Sequence, residues 1–408
     1  MARKRLKVAI APDSFKGTLT ALEAAECIER GLRRELRNIS VRKIPMADGG
    51  DGTVQAIVDA TNGRFKRAKV HDPLGRPIWA KYGLAGNGRT AVIEMAAASG
   101  LVLLDSSERH PMRTTTRGTG DLIRAALRQG VRKILVGIGG SATNDGGMGM
   151  ARAFGVRFLK KNGDEIPEGG GSLDKLVRID MARRLSALER VKIEVACDVD
   201  NPLTGPKGAA RVYGKQKGAT SQQIQQLDKN LKHFARIVRR DLGVDVGRVP
   251  GAGAAGGLGA GLLAFLGGDL RPGIDVVSDA IGLSKRLRGC DLVITGEGRT
   301  DAQTLHGKAP MGVIREASKL GIPVIVIAGS VGPGADALLD HGVEACYAAT
   351  RAPMDEKALG RNGARLLEDK AAEVGRGVEG IRANIRHLRR GLLRRRCWPV
   401  ASCGGAGC

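Results

Sequence analysis

Short, fully apolar runs recur along the chain, and each is followed by a polar or glycine-rich loop and a segment with helical spacing. The runs are KVAIAP (7–12), KILVGI (133–138), DLVIT (291–295) and PVIVIA (323–328). Strands without polar alternation are buried on both faces, which is typical of parallel sheets covered by helices. Thr20 and Glu23 stand in a capping-box pattern that predicts the helix after the first run. The pattern predicts the α/β class.

The length of 408 residues exceeds what one hydrophobic core usually serves, so two domains are expected. The parallel rhythm occupies both chain ends, whereas hairpin signals between residues 65 and 104 indicate a mixed sheet. We predict a discontinuous parallel α/β domain of residues 1–72 and 286–380, with a Rossmann-like or flavodoxin-like sheet. An inserted mixed α/β domain should span residues 73–285. Residues 381–408 are rich in arginine without an apolar period, which predicts a basic, disordered tail.

The formal net charge of +24 raises nucleic acid as a partner. Much of the surplus sits in the arginine-rich segment 376–396, and the basic residues are poorly interleaved with aromatic ones, so nucleic acid is not expected. The 7 cysteines form no C-x-x-C pair, and no run approaches the roughly 18 apolar residues of a membrane span. These features predict a cytoplasmic protein without a membrane segment.

One glycine-rich loop follows the apolar run that ends at residue 138 and precedes a helix-like segment. Its residues are Gly139, Gly140, Ser141, Ala142, Thr143, Asn144, Asp145, Gly146 and Gly147. A strand, a glycine-rich turn and a helix N-terminus together present backbone N–H groups to a phosphate. We predict a phosphate-binding loop here. The alternative is a plain strand-to-helix connection with Asn144 or Asp145 as the N-cap.

Polar side chains also follow other predicted strands, at the edge where open α/β sheets bind ligands. These residues are Ser14 and Lys16, Asp48 and Asp51, Asp198 and Asn201, and Gly296, Glu297, Arg299 and Asp301. Carboxylate oxygens suit Mg²⁺ or a hydroxyl-bearing substrate. The alternatives are a solvated loop lysine at Lys16, a tight turn at 48–51 and an Asx turn before Pro202.

Three further segments limit the possible nucleotide sites. No Walker A motif is present, and Lys308 lacks the required glycine spacing. Residues 251–256 match G-x-G-x-x-G, but a poor strand and Pro250 precede them, so the small residues predict close approach of a helix to another backbone or to a nucleotide. The threonine-rich loop 112–121 should cap a helix over residues 122–128.

Long motifs in the chain resemble the bacterial type of glycerate kinase (glycerate 2-kinase, type 1). They are APDSFKGTLTA (11–21), PMADGGDGT (45–53), GIGGSATNDGG (137–147), VACDVDNPLTGPKGAA (195–210) and TGEGRTDAQTLHGK (295–308). The resemblance covers residues 6–375 and implies two α/β domains with the active site in the interdomain cleft. It implies transfer of the γ-phosphoryl group of ATP to D-glycerate, most simply at the 2-hydroxyl. Transfer to the 3-hydroxyl or to another small hydroxy acid stays open, as does a basic nucleic-acid-binding protein on a kinase scaffold.

Phosphoryl transfer requires a phosphate site, charge neutralisation and an acceptor for the hydroxyl proton. The expected catalytic residues are Lys16, Asp198, Arg299 and Asp301; those for the nucleotide are Gly139–Gly147 and Gly296; those for the substrate are Ser14, Asp48, Asp51 and Asn201; and those for Mg²⁺ are Asp198, Glu297 and Asp301. The expected ligands are ATP, Mg²⁺ and D-glycerate. Which carboxylate acts as base, and whether the protein is a monomer or a homodimer, stays open here.

Overall fold

The computed structural model describes residues 5–305, 307–350 and 356–381. The strands are β1 (Leu6–Ile10), β2 (Ile39–Lys43), β3 (Arg64–His71), β4 (Pro77–Leu84), β5 (Thr90–Glu94), β6 (Lys133–Gly137), β7 (Arg157–Leu159), β8 (Arg178–Asp180), β9 (Lys192–Ala196), β10 (Asp269–Arg271), β11 (Leu292–Thr295), β12 (Arg299–Thr300), β13 (Val324–Ala328), β14 (Ser330–Val331) and β15 (Val343–Ala348). The α-helices are α1 (Ala21–Glu35), α2 (Thr53–Thr61), α3 (Ala96–Ser99), α4 (Arg117–Leu127), α5 (Met148–Arg152), α6 (Ala209–Tyr213), α7 (Ser221–Leu242), α8 (Ala254–Leu266), α9 (Gly273–Ile281), α10 (Leu283–Leu287), α11 (Ala309–Lys319) and α12 (Glu356–Ile381).

The predicted tail of residues 381–408 lies outside the described residues, apart from the backbone of Ile381 at the end of α12. Among the helices that are described, none is long and apolar enough to cross a membrane.

The chain divides into two compact units, one made of residues up to Asp48 and from Val277 onward, the other of Gly49–Val276. The first unit contains a five-stranded sheet in the order β15-β13-β11-β1-β2, with every neighbouring pair parallel. Helices α1 and α12 supply apolar side chains to its core, including Ile28, Leu32 and Leu367. Both chain ends therefore form one parallel sheet, which confirms the predicted α/β class.

The second unit contains a six-stranded mixed sheet in the order β10-β9-β6-β5-β4-β3. β3, β4 and β5 pair antiparallel through two hairpins, whereas β5, β6, β9 and β10 are parallel. The hairpin turns lie at residues 72–76 and 85–90, where Asp72 and Asn87 accept backbone hydrogen bonds. This arrangement agrees with the hairpin signals read from residues 65–104.

The division between the units differs from the predicted domain bounds of 72/73 and 285/286. β3 pairs with β4 along its full length, and Val54 and Val58 of α2 pack against Gly83 of β4. These contacts tie residues 49–72 to the mixed sheet. The second crossing lies within α9, because the helix continues beyond the last residue of the second unit.

Candidate active site

In the first unit, carboxylates follow three adjacent strands. β1 lies between β2 and β11, and Ile10 is aligned with both Lys43 and Ile294. Asp13, Asp48 and Glu297 come shortly after the ends of these strands, and we call them the carboxylate cluster. The Asp13 N–H donates to the Gly296 carbonyl oxygen at 2.8 Å, which fixes two of the strand ends together.

Asp13 is the most strongly perturbed acid of this cluster. Its residue surface is 8% exposed, and burial, followed by repulsion from Asp48, raises the pKa of its carboxyl to about 7. Glu297 raises it further, whereas a 2.6 Å hydrogen bond from the Ser14 N–H and the charge of exposed Lys16 oppose the change. An acid with this pKa exchanges its proton near neutral pH.

Glu297 is buried but fully engaged by neighbouring groups. Thr304 donates its hydroxyl to Oε1 at 2.6 Å, and the Lys308 ammonium lies 3.1 Å from Oε2. Burial raises the pKa of Glu297, and these two donors oppose that rise. The cluster therefore combines one relatively unsupported acid, Asp13, with one that is held in place by two donors.

Arg299 and Asp301 form an exposed pair beside this cluster, with 3.1 Å between Arg299 Nε and Asp301 Oδ2. Asp301 also accepts a hydrogen bond from the Gln303 N–H at 3.0 Å, which lowers the pKa of its carboxyl, as do the charges of Lys308 and Arg299. Asp301 in turn raises the pKa of Glu297. The predicted residues Glu297, Arg299 and Asp301 are thus brought together.

In the second unit, the glycine-rich loop leaves β6 as predicted. Only Gly139 and Gly140 are exposed, and residues 141–147 are buried. Gly140 and Gly147 have φ of 70° and 78°, and a Cβ on Gly147 would lie 2.9 Å from the Gly261 Cα of α8. The loop therefore requires glycine both for its turn and for the close approach of α8.

Asp145 is the internal fastener of this loop. Its buried carboxylate accepts hydrogen bonds from the Thr116 N–H and hydroxyl, both at 2.9 Å, and from the N–H groups of Gly147 and Gly149, both at 3.1 Å. Burial raises the pKa of Asp145 and these donors oppose the rise. The carboxylate thus occupies N–H groups of the first turn of α5 that the sequence pattern had offered to a phosphate.

Lys217 contacts the same loop from the short 3₁₀ turn Lys215–Lys217. It is 2% exposed, and its Nζ lies 2.7 Å from both Ser141 Oγ and the Thr143 carbonyl oxygen. Burial lowers the pKa of the ammonium to about 7, and Asp145 opposes that change through its charge. Thr143 Oγ1 and the Asn144 amide are buried with no partner among the groups that the structure describes.

The segment 49–51 runs beside the exposed end of the loop. A Cβ on Gly140 would lie 3.8 Å from Asp51 Oδ1, and a Cβ on Gly49 would lie 3.6 Å from Asp198 Oδ2. Asp198 also accepts a hydrogen bond from the Gly273 N–H at 2.7 Å, at the start of α9. The predicted residues Asp51, Gly139, Gly140 and Asp198 therefore share the carboxyl edge of the second sheet.

Asn201 is engaged within its own segment. Its Nδ2 donates to the Lys207 carbonyl oxygen at 2.8 Å, and its Oδ1 accepts from the Tyr213 hydroxyl at 2.6 Å. Both ends of the amide thus stabilise the loop 201–213, and its predicted contact with substrate stays a prediction.

Comparisons with known proteins bear on this arrangement. The model of the glycerate kinase family matches residues 8–379. A glycerate kinase of Halalkalibacterium halodurans is 53% identical over 367 residues, which are 90% of this chain and 97% of the relative. The glycerate 2-kinase of Escherichia coli K12 is 50% identical over 84% of this chain and 90% of its own. The chain belongs to the glycerate kinase family.

A solved structure bearing the name glycerate kinase 2, from Salmonella typhimurium LT2, agrees with this membership. It has a TM-score of 0.87 at 46% identity and covers 93% of this chain and 100% of its own. The motifs from which the family resemblance was read include the residues of both strand-end clusters.

For this family member, the described residues hold no group of three or more His, Cys, Asp or Glu side chains arranged to bind a metal by themselves. Of the predicted metal ligands, Glu297 and Asp301 lie in the first unit and Asp198 in the second. The predicted nucleotide residue Gly296 lies between β11 and Glu297, packed against the Ile327 carbonyl oxygen, where a side chain would not fit.

Two residues gain importance only from the structure. Asp13 was placed at a strand end by the sequence but received no role, because an aspartate after a strand is as common in turns as in active sites. Lys217 carries no sequence signal that separates it from exposed Lys215, two residues earlier. Its burial depends on the position of a loop some 70 residues away in sequence.

Proposed function

We propose that this member of the glycerate kinase family transfers the γ-phosphoryl group of ATP to the 2-hydroxyl of D-glycerate, giving 2-phosphoglycerate and ADP. The observation that carries the proposal is the 50% identity, over 90% of its length, to a relative named glycerate 2-kinase. Supporting it, carboxylates and cations collect at the strand ends of one unit and a glycine-rich loop at those of the other. Phosphoryl transfer requires these groups for positioning and charge stabilisation.

We assign the acceptance of the hydroxyl proton to Asp13. A general base works best when its pKa is near the working pH, and burial beside Asp48 raises the pKa of Asp13 to about 7. Ser14, Asp48 and Asp51 remain the proposed substrate contacts, together with Asn201. Lys16 and Arg299 supply positive charge to the transferring phosphoryl group or to the glycerate carboxylate.

Mg²⁺ is part of the proposal, and the carboxylates present fit it. Asp13, Asp48 and Glu297 repel one another enough to raise the pKa of Asp13, and a divalent cation would relieve that repulsion. Protein sites for Mg²⁺ commonly use one or two carboxylates and complete the shell with water and phosphate oxygens. Glu297, Asp301 and Asp198 are the proposed ligands, and the bound ion would supply charge neutralisation at the phosphates.

The anion site on the glycine-rich loop is proposed for its accessible end. Gly139 and Gly140 are exposed and Ser141 lies at the edge of the buried part, so their N–H groups and the Ser141 hydroxyl can reach a ligand. Ala142, Thr143, Asn144, Asp145, Gly146 and Gly147 then support the loop from inside. Gly296 keeps its proposed place near the nucleotide because a side chain would not fit there.

We also propose a cytoplasmic location, where ATP is supplied and thiols stay reduced. Cys27, Cys197, Cys290 and Cys346 are free thiols in the structure, as expected for a reducing compartment. Light scattering of the purified protein distinguishes the monomer from the homodimer, both of which are compatible with the proposal.

The test is a coupled assay through enolase, which consumes 2-phosphoglycerate but not 3-phosphoglycerate. Purified protein with ATP, Mg²⁺ and D-glycerate should give a signal without added mutase. A signal only in the presence of mutase would assign the 3-hydroxyl as acceptor. ADP formation that requires another hydroxy acid would move the substrate, and no ADP formation from a folded protein would reject the kinase activity.

A further inference from the structure

Lys217 is buried without a carboxylate partner in hydrogen-bond contact. Its two recorded acceptors, Ser141 Oγ and the Thr143 carbonyl oxygen, are neutral and each lies 2.7 Å from Nζ. Lysine is almost never fully buried unless it is paired, because removing an ammonium from water is costly. A side chain kept in this position at such cost calls for a role in the loop that it supports.

Hydrogen-bond chemistry defines what the ammonium does to Ser141. A charged lysine is only a donor, so Ser141 Oγ must accept its hydrogen bond. The serine hydroxyl proton is then directed away from Lys217. In the part of the chain that the structure describes, the Ser141 hydroxyl has no other recorded hydrogen bond, so this proton is available to a ligand at the exposed end of the loop.

A neutral amine would allow the opposite arrangement. It has one lone pair and can accept the Ser141 proton, and the loop then loses a donor on its exposed side. Burial lowers the pKa of Lys217 to about 7, so both forms are accessible near neutral pH. The group that acts on Lys217 through its charge is Asp145, which favours the charged form. Asp145 itself interacts with Arg152, so the network extends into α5.

We propose that the Lys217 ammonium is a positioning group that fixes Ser141 as a hydrogen-bond donor toward the anion bound by the glycine-rich loop. The inference rests on the proposed anion site of this loop and adds the residue that orients it. The anion is a phosphate of ATP or the carboxylate of D-glycerate, which share the acceptor chemistry that a serine hydroxyl recognises.

A double-mutant cycle on binding tests the coupling. Dissociation constants are measured by calorimetry, separately for adenosine 5′-(β,γ-imido)triphosphate and for D-glycerate, with wild type, Ser141→Ala, Lys217→Met and the double variant. Each single variant should weaken the binding of one of the two probes by roughly tenfold or more, the cost of losing a charge-assisted hydrogen bond. The double variant should be no weaker than the worse single variant, because Lys217 acts through Ser141.

Lys215→Met is the matched control, since Lys215 is exposed on the same turn and should bind both probes as wild type does. Independent effects that multiply in the double variant would overturn the inference, as would unchanged binding of both probes. Circular dichroism and thermal melting of each variant report whether the fold is intact.

A pH series decides the question even if Lys217→Met does not fold. The ratio of the dissociation constant of Ser141→Ala to that of wild type should fall severalfold between pH 6.5 and about pH 9, because deprotonation of Lys217 removes the donor from wild type. A ratio that is independent of pH would overturn the inference. Wild type that binds the probes but phosphorylates no glycerate would reject the proposed function and leave this result to be judged separately.

Discussion

The two units carry opposite charge chemistry at equivalent places, the carboxyl edges of parallel strands. In the first unit burial raises the pKa of Asp13 to about 7, and in the second burial lowers the pKa of Lys217 to about 7. One physical cause, the removal of a charged group from water, moves an acid and a base to the same range from opposite sides. Equivalent backbone geometry therefore supports a proton acceptor in one unit and an oriented donor in the other.

The largest expected effect concerns the acid of this comparison. Asp13→Asn keeps the shape of the side chain but removes its ability to accept a proton, so kcat should fall by roughly 10²- to 10⁴-fold. Steady-state kinetics with D-glycerate measure it. Asp340→Asn, at an exposed aspartate of the same unit, should leave kcat unchanged. Near-normal turnover by folded Asp13→Asn would assign the base to another carboxylate.

The cation beside this acid gives the next effect. Lys16→Ala should lower kcat/KM by on the order of 10²-fold if Lys16 stabilises the transferring phosphoryl group, as for loss of one preorganised donor. Lys285→Ala is the control, because that lysine is exposed in the same unit. If both variants have equal kcat/KM, Lys16 is a solvated loop residue.

The backbone of the glycine-rich loop is expected to respond in stability. Gly147→Ala combines a φ of 78° with a Cβ placed 2.9 Å from the Gly261 Cα, and should lower the free energy of unfolding by about 2–4 kcal/mol. Gly130→Ala has a similar φ of 72° and an open surrounding, so it should cost about 1 kcal/mol. Urea denaturation of both measures the difference, and equal losses would mean that the contact with α8 adjusts freely.

The smallest effect is a pH dependence of stability. Above about pH 7 folded Lys217 has lost its proton, whereas the unfolded chain retains it to about pH 10. The unfolded state binds more protons in this window, so stability rises with pH, by on the order of 1 kcal/mol per pH unit. Denaturation between pH 7 and 9 should show wild type gaining stability relative to Lys217→Met. A constant difference would place Lys217 outside this titration range.

Local patterns predicted much of the fold. The capping box of Thr20 and Glu23 is present at the start of α1, and β9 spans the predicted residues 192–196. The small residues after Pro250 bring α8 against the backbone of the glycine-rich loop, as expected for one of the two alternatives. Such features depend on neighbours in sequence, and their side-chain chemistry is sufficient to identify them.

The predicted start of the helix at residue 122 was wrong, since α4 begins at Arg117. Gly118 and Gly120 disfavour a helix by propensity, but Gly120 packs against Met150 and Ala153 of the following helical segment. Asp145 also accepts hydrogen bonds from Thr116 just before α4. Contacts from some 30 residues away thus outweigh the local preference.

The sequence by itself determined the α/β class, the strand-end position of the site residues and the family, because apolar runs, caps and motif spacing are local properties. Only the tertiary structure decided which of these groups lose their water. Asp13 is buried beside Asp48 and Glu297, and Lys217 is buried against Ser141 and Thr143. Burial depends on residues distant in sequence, and it is burial that changes the pKa of a carboxyl or an ammonium enough to alter its chemistry.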